Sequence, residues 1–359
     1  MNDEFYIRRT LRIASKARGM TSPNPMVGAV IVKKGEIISE TYHLKPGTPH
    51  AEALAIAKAG RDARGSTLYA NLEPCCHTDK RTPPCTKAII NAGIKKVVVA
   101  MTDPNPKVAG KGIGELQEAG IAVKSGILER EAAILNEFYI KYITSKKPFV
   151  ILKVAMTLDG KIATPEGQSK WITGEKSRRV VHHLRSSVDA VMTAIGTVKA
   201  DDPRLTSRIK GGRDPKRIVI DPNLEIPLDA RILQTPPETM IVTKTVNPKS
   251  KLIEKPGIKI IHYKESLDLD WLMKKLGEMS ITSLLIEGGS SLNARALKDG
   301  IVDKIMFFVA PIIIGGRESF PAVGGKTYRK LEDAYRIREM KVKRIGEDLL
   351  IEGYLTNPS

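Results

Sequence analysis

His50 and Glu52 stand two residues apart. Twenty-five residues beyond His50 the chain reads Pro74-Cys75-Cys76-His77, then runs through Arg81-Thr82-Pro83-Pro84 to Cys85. Together these tracts offer one imidazole, two or three thiols and one carboxylate. Imidazole and thiolate are zinc ligands, and three protein ligands leave a fourth tetrahedral position for water, as in a catalytic zinc site. Zinc lowers the pKa of such a water toward about 7. Glu52 cannot become a fourth ligand without closing the site. As a non-ligand it would take the water proton and deliver it to the atom being released.

H-x-E followed by P-C-x-x-C is the pattern of zinc-dependent nucleobase deaminases. His50, Cys75 and Cys85 are therefore the expected metal ligands and Glu52 the expected catalytic acid/base. Cys75 follows the proline, as the pattern asks, with nine residues between it and Cys85; Cys76 leaves eight. The order favours Cys75 and keeps Cys76 as the alternative ligand. A structural zinc held by Cys75, Cys76, His77 and Cys85 is the competing reading, but it leaves His50 and Glu52 unexplained. Either way, less than half of the chain is accounted for.

A chain of 359 residues exceeds one ordinary core, which implies two domains. The start, Met1-Asn2-Asp3-Glu4, is acidic and carries no apolar leader. The longest uncharged apolar run, Ile305 to Gly316, is 12 residues, too short for a membrane helix, and Pro311 interrupts it. All three cysteines fall within the zinc tracts. A disulfide framework would spread them, so a reducing cytoplasm is expected. The net charge of +18 divides into +8 over residues 1–146 and +10 over the remainder, with no basic block. It reads as a lysine-rich solvated surface or a pull on anionic small molecules. No aromatic-interleaved basic stripe marks a nucleic-acid partner.

Apolar spacing places a helix over residues 3–18. A hairpin follows, from Val27–Val32 and Ile37–Tyr42. Next come a helix from near His50 to Gly60, a strand at Thr67–Leu72, a helix from Cys85 to Asn91 and a strand at Val97–Met101. A helix ending at Gly120, a strand at Ile121–Lys124 and a long helix over 129–144 complete the first half. Ser145-Lys146-Lys147-Pro148 is the expected boundary, giving domains 1–146 and 147–359. The second half opens on a strand at Phe149–Ala155. A helix near 175–186 and strands near 188–194, 217–221, 239–243 and 258–262 follow. A helix near 268–277, strands near 282–287 and 304–309, and a closing hairpin from Ile337 to Leu355 end the chain. Strands alternating with helices predict α/β architecture in both halves. Gly110-Lys111-Gly112-Ile113-Gly114 imitates a dinucleotide fingerprint but follows no strand, so it reads as a flexible turn.

Longer runs resemble one family, the bifunctional riboflavin-biosynthesis deaminase/reductase. Thr21-Ser22-Pro23-Asn24-Pro25-x-Val27-Gly28, His43-x-x-x-Gly47-x-x-His50-Ala51-Glu52 and Asp103-Pro104-Asn105-Pro106-x-Val108-Ala109-Gly110 are similar to its deaminase half. Thr157-Leu158-Asp159-Gly160-Lys161-Ile162-Ala163, Lys170-Trp171-Ile172-Thr173, Gly196-Thr197-Val198-x-Ala200-Asp201-Asp202-Pro203-x-Leu205-Thr206 and Glu287-Gly288-Gly289 are similar to its reductase half. In this chain Thr157 replaces the family's usual serine, Thr41 replaces a common glycine, and the Cys75–Cys85 loop is one residue longer than usual.

The resemblance implies a cytidine-deaminase-like three-layer domain followed by a dihydrofolate-reductase-like domain. Zinc and NADPH would be the cofactors. The first half would deaminate 2,5-diamino-6-(5-phosphoribosylamino)pyrimidin-4-one, with Asn24, His43, His77 and Lys80 at the pyrimidine and phosphate. The second would reduce the ribosyl group to ribityl. Ala155, Trp171, Thr173, Thr197, Asp201, Gly288, Gly289, Ser290 and Ser291 would bind NADPH. Lys153, Ser169, Arg185, Leu205, Arg208 and Glu287 would bind the substrate, the two arginines at its phosphate, where a guanidinium grips two oxygens at once. A homo-oligomer, dimer or tetramer, is also implied, with no nucleic-acid or membrane partner. The alternative, a nucleic-acid-editing zinc deaminase with an unrelated C-terminal domain, explains the zinc tracts but not residues 147–359.

Overall fold

The computed structural model describes residues 2–78, 83–246, 248–325 and 330–356. The chain divides into two compact units, residues 1–146 and 147–359.

The first unit opens with helix α1 (Asp3–Ala14), whose first turn is capped by the Asn2 side chain accepting from the Phe5 N–H at 3.1 Å. Strands β1 (Gly28–Lys33) and β2 (Glu36–Tyr42) form a hairpin. Lys34 and Gly35 at its tip both have positive φ, which suits the right-handed twist of the flanking strands. Helix α2 (Ala51–Ala59), β3 (Thr67–Ala70), α3 (Cys85–Asn91), β4 (Lys96–Val99), α4 (Lys111–Glu118), β5 (Ala122–Lys124), α5 (Glu129–Leu135) and α6 (Glu137–Ser145) follow. Among the described residues the sheet has five strands in the order β2-β1-β3-β4-β5; β1 is antiparallel to both neighbours and β3, β4 and β5 are parallel. Gly28 through Val32 are all buried, so both faces of β1 are covered and the unit has three layers. Helix α1 lies so close that a Cβ at Gly28 would meet the Thr10 carbonyl at 2.4 Å.

Two sequence expectations fail in this unit. The long helix over 129–144 is two helices, broken at Asn136. The Asn136 side chain leaves the helix face to hydrogen-bond the Met26 backbone, so a polar residue inside an apolar pattern marks the break. The glycine run at 110–114 is not a flexible turn. It opens α4, and a Cβ at Gly112 would sit 2.1 Å from the Pro74 carbonyl oxygen. Close packing, not freedom, requires that glycine.

The second unit contains β6 (Phe149–Thr157), β7 (Lys161–Ala163), α7 (Glu175–Ser187), β8 (Ala190–Ala194), α8 (Ile195–Asp201), β9 (Lys216–Ile220), α9 (Arg231–Gln234), β10 (Thr239–Thr243) and α10 (Pro248–Ile253). Then come β11 (Ile258–His262), α11 (Leu269–Glu278), β12 (Ser283–Ile286), α12 (Ser290–Lys298), β13 (Lys304–Ala310), β14 (Phe320–Pro321), β15 (Arg336–Ile345) and β16 (Asp348–Thr356). Its large sheet runs β11-β10-β9-β8-β12-β6-β13-β16-β15 among the described residues. The strands from β11 to β13 are parallel, and the β15–β16 hairpin closes one edge in antiparallel register. The core strands are apolar on both faces, as parallel strands covered by helices must be. The short helix α8 went unseen in the sequence, because Gly196-Thr197 masks its apolar period.

Candidate active sites

In the first unit, α2 starts at Ala51, so His50 is its N-cap and Glu52 lies in its first turn. Cys75 follows the β3 strand end, and Cys85 opens α3 after Pro84. These three segments bring the Nδ1 of His50 within 3.4 Å of both the Cys75 and Cys85 sulfurs. Their ligand atoms lie within 4.8 Å of one another. A tetrahedral zinc with bonds of about 2.3 Å to sulfur and about 2.0 Å to nitrogen asks for nitrogen–sulfur separations of about 3.5 Å. The donor set and its spacing therefore fit the ion. Cys76 lies apart, its sulfur 3.9 Å from the Lys107 carbonyl, and burial raises its thiol pKa. The geometry selects Cys75 over Cys76.

Glu52 is 3% exposed, and its Oε2 meets no hydrogen-bond partner among the described residues. Burial, reinforced by the neighbouring Cys75, raises its pKa, while His50 opposes the rise. A buried carboxyl with an unsatisfied oxygen beside the ligand set suits a proton shuttle facing a water. His43 stands beside His50, the ring centroids 5.4 Å apart. Its Nδ1 faces the Pro49 carbonyl at 3.3 Å and its Nε2 faces the Asn24 amide nitrogen at 3.1 Å. The pattern fits an Nδ1–H tautomer that donates to Pro49 and accepts from Asn24. Burial lowers its pKa and favours this neutral ring. Thr41, in place of the family's glycine, donates from its hydroxyl to the Ala51 carbonyl at 2.6 Å and ties β2 to the start of α2. His77 is half-buried next to Cys76; Lys80 lies outside the described residues.

In the second unit the carboxyl ends of β8 and β12 and the middle of β6 converge on Glu287. The Glu287 N–H donates to the Met192 carbonyl at 2.9 Å, and the Glu287 carbonyl accepts from the Thr193 hydroxyl at 2.8 Å. Arg185 grips the Glu287 carboxylate with Nε at 2.6 Å and Nη2 at 3.0 Å, and Lys153 approaches at 3.4 Å. The side chains are 13%, 8% and 16% exposed for Arg185, Glu287 and Lys153, so this is a buried ionic triad rather than a set of solvated surface charges. Burial alone would raise the Glu287 pKa; Arg185 and then Lys153 outweigh it and bring the group down to about 2. Arg185 also donates to the Thr206 carbonyl at 3.1 Å, so this guanidinium is largely committed to the protein.

Around the triad, Asp202, Leu205 and Arg208 all have positive φ, an unusual density of left-handed backbone for non-glycine residues. Leu205 is buried and Arg208 exposed. Beneath them the buried Arg217 donates to the carbonyls of Arg204, Thr235 and Pro237, which pins the segment from inside. Ser169 and Lys170 both bond Asp201. Trp171 is 67% exposed, with the Arg178 guanidinium 4.5 Å from its ring centroid; it is not a core tryptophan. Thr173 is buried, and its carbonyl accepts from Arg178. Thr197 lies near Gly289, the N-cap of α12, ahead of Ser290 and Ser291. Ala155 sits two residues beyond Lys153 on β6, on the same face. Thr157 keeps the hydroxyl of the serine it replaces, donating to Asp159 and accepting from the Lys161 N–H.

Comparison with known proteins agrees over the whole length. The RibD C-terminal domain pattern matches residues 148–351, and the cytidine and deoxycytidylate deaminase zinc-binding region matches residues 1–101. The RibD riboflavin-biosynthesis protein of Aquifex aeolicus is 46% identical over 351 residues, covering 97% of each chain. That of Escherichia coli is 39% identical, covering 98% of this chain and 99% of that one. The chain belongs to the RibD family. A solved RibD structure from Acinetobacter baumannii superposes with a TM-score of 0.90 at 37% identity, covering 99% of both chains. A Thermotoga maritima structure, described as a diaminohydroxyphosphoribosylaminopyrimidine deaminase/5-amino-6-(5-phosphoribosylamino)uracil reductase, gives 0.87 at 35% identity.

As a RibD protein the chain is a bifunctional deaminase and reductase of riboflavin biosynthesis, with a zinc-binding deaminase domain and an NADPH-using reductase domain. The C-terminal match accounts for the half that the nucleic-acid-editing alternative left unexplained. Among the described residues no helix is long and apolar enough to cross a membrane.

The sequence assigns no role to Glu73, which helps build the RibD deaminase site. Glu73, two before Cys75, is 2% exposed, and its carboxylate accepts from the N–H groups of Asp103, Gly110 and Ile113, each at 3.0 Å. It thereby caps α4 and fixes the loop behind Cys75. Asp103 accepts from the Asn105 N–H and the Tyr139 hydroxyl, both at 2.9 Å. The only signal for Glu73 was a carboxylate in an otherwise apolar run before the first cysteine.

Proposed function

We propose that residues 1–146 carry the deamination of 2,5-diamino-6-(5-phosphoribosylamino)pyrimidin-4-one and residues 147–359 the NADPH-dependent reduction of its ribosyl group to ribityl. The observation that carries the first half is His50 Nδ1 equidistant from two thiols, with the Glu52 carboxyl buried beside them. Zinc held by His50, Cys75 and Cys85 supplies a Lewis acid that makes water nucleophilic at neutral pH. Glu52 takes the first proton of the attacking water and delivers it to the ring nitrogen, then takes the second from the new hydroxyl on the ring carbon and delivers it to the amino group, which leaves as ammonia. The base lies against the Asn24 amide and the neutral His43, and His77 faces the rest of the substrate; the family likeness adds Lys80 as a substrate-binding residue.

In the second half NADPH supplies the hydride for the ribose C1′. Trp171, Thr173, Thr197, Asp201, Ala155 and the Gly288–Ser291 turn hold the cofactor, the last offering unpaired N–H groups at the α12 start. Glu287 contacts the ribose hydroxyls, and Lys153 orients or polarises C1′. Arg208 meets the phosphate, while Arg185 fixes Glu287 and reaches the phosphate side through its remaining donors. Ser169 and Leu205 complete the substrate wall. The confinement of every cysteine to the zinc tracts supports work in the cytoplasm, and family likeness supports a homo-oligomer, which light scattering would measure.

The test is purified protein with the phosphoribosylated diaminopyrimidinone, following ammonia release with and without NADPH. Ammonia release without NADPH, and NADPH oxidation only once deaminated product is present, are expected. NADPH oxidation on the undeaminated substrate with no ammonia released would overturn the assignment.

A further inference from the structure

Three hydrogen bonds hold Met26 and a fourth holds Gly28. The Met26 N–H donates to Asn136 Oδ1 at 2.8 Å, and its carbonyl accepts from Asn136 Nδ2 at 3.1 Å and from Asn71 Nδ2 at 2.9 Å. Two residues on, the Gly28 N–H donates to Asn71 Oδ1 at 2.7 Å. Asn71 and Asn136 are 0% and 2% exposed. Each carboxamide thus pairs with peptide groups as a neighbouring strand would, just where β1 begins. An asparagine can do this because it carries a donor and an acceptor at fixed separation.

The backbone held this way leads straight into the deaminase site. Asn24 lies two residues before Met26, in a turn closed by its own N–H to the Thr21 carbonyl at 2.7 Å. The His43 N–H donates to the carbonyl of Val27, between the two clamped positions, at 2.9 Å. His43 in turn joins Asn24 to the carbonyl of Pro49, the residue before His50. Asn136 interrupts what would otherwise run on as one amphipathic helix, and its side chain bonds the Met26 backbone instead.

We infer that Asn136, with Asn71, is a positioning residue of the deamination: it sets the Met26–Gly28 backbone so that Asn24 and His43 meet the pyrimidine in register with His50 and Glu52. The inference rests on the assignment of Asn24 and His43 to the pyrimidine. A misplacement of the substrate by a fraction of an ångström to an ångström is enough to cost a large factor in rate.

The experiment compares Asn136→Ala, Asn24→Ala and the double variant in the full-length protein. Readouts are deaminase kcat and KM, bound zinc by elemental analysis, and reduction of the deaminated intermediate. Expected for Asn136→Ala is a fall of about tenfold or more in deaminase kcat/KM, with zinc and the reductase rate retained. The double variant should lose less than the product of the two single losses, because part of the effect of Asn136 passes through Asn24. Additive losses, or zinc lost in proportion to activity, would overturn the inference while leaving the pyrimidine assignment intact. An Asn24→Ala variant with undiminished kcat/KM would sink that assignment and the inference with it. Should the alanine variant fail to fold, Asn136→Asp serves instead. It keeps the acceptor for the Met26 N–H and loses the donor to the Met26 carbonyl, and an unchanged kcat/KM in it overturns the inference.

Discussion

Arg185 and Glu287 meet in a two-pronged ion pair, Nε to Oε1 at 2.6 Å and Nη2 to Oε2 at 3.0 Å, at the carboxyl end of the parallel sheet of the second unit. Removing one partner strands a charge in the interior, a change that costs about 3–5 kcal/mol in comparable buried pairs. Glu287→Gln is therefore expected to lower the unfolding free energy and abolish reduction, while Arg185→Lys, which loses the planar fork, gives an intermediate loss. Denaturant unfolding of the two variants checks the order; equal stability for all three proteins would contradict it.

The same pair sets an acid limit. Glu287 falls from its ordinary 4.5 to about 2 in the folded chain, against the effect of burial, because Arg185 and Lys153 hold it ionised. A depressed carboxylate contributes stability that is complete above its unfolded pKa and is lost as pH falls toward the folded one. The contribution should therefore fade from about pH 4.5 down to about pH 2. The wild-type minus Glu287→Gln difference in unfolding free energy is expected to be flat above that window and to shrink within it.

Glu52→Gln keeps the shape of the side chain and removes its ability to carry a proton. Ammonia release should fall by roughly 10²–10⁴-fold, with zinc content unchanged and reduction of the deaminated intermediate intact. Simultaneous loss of both activities in a folded variant would argue against separate sites.

The ligand set predicts an asymmetry between adjacent cysteines. Cys75→Ser is expected to lose zinc, whereas Cys76→Ser should retain it, since the Cys75 sulfur lies 3.4 Å from His50 Nδ1 and the Cys76 sulfur faces the Lys107 carbonyl instead. Chelation should abolish deamination and spare reduction. Zinc analysis of the two variants decides the matter.

Gly112→Ala tests the packing behind the metal site. The new methyl would meet the Pro74 carbonyl at 2.1 Å, a backbone atom that cannot swing away. A loss of about 1–3 kcal/mol, typical of overpacking, is expected, together with weaker zinc retention because Cys75 must move with Pro74. Thermal unfolding and competition with a zinc chelator measure the two effects.

Local order along the chain determined a good deal. The zinc tracts, the carboxylate beside them, the boundary near residue 147 and most strands and helices were legible because ligand type, hydrophobic period and turn residues are properties of neighbours in sequence. Tertiary structure alone decided which sulfur faces His50, since Cys75 and Cys76 differ by one position and only the path of the loop separates them. It alone showed that Arg185 is spent on Glu287, that Glu73 caps a helix beginning 38 residues later at Lys111, and that Asn136 breaks a helix to hold Met26. Each of these is a long-range pairing of buried polar groups. Sequence pattern records where such a group sits but not which distant partner satisfies it, because that choice is made only when the layers pack.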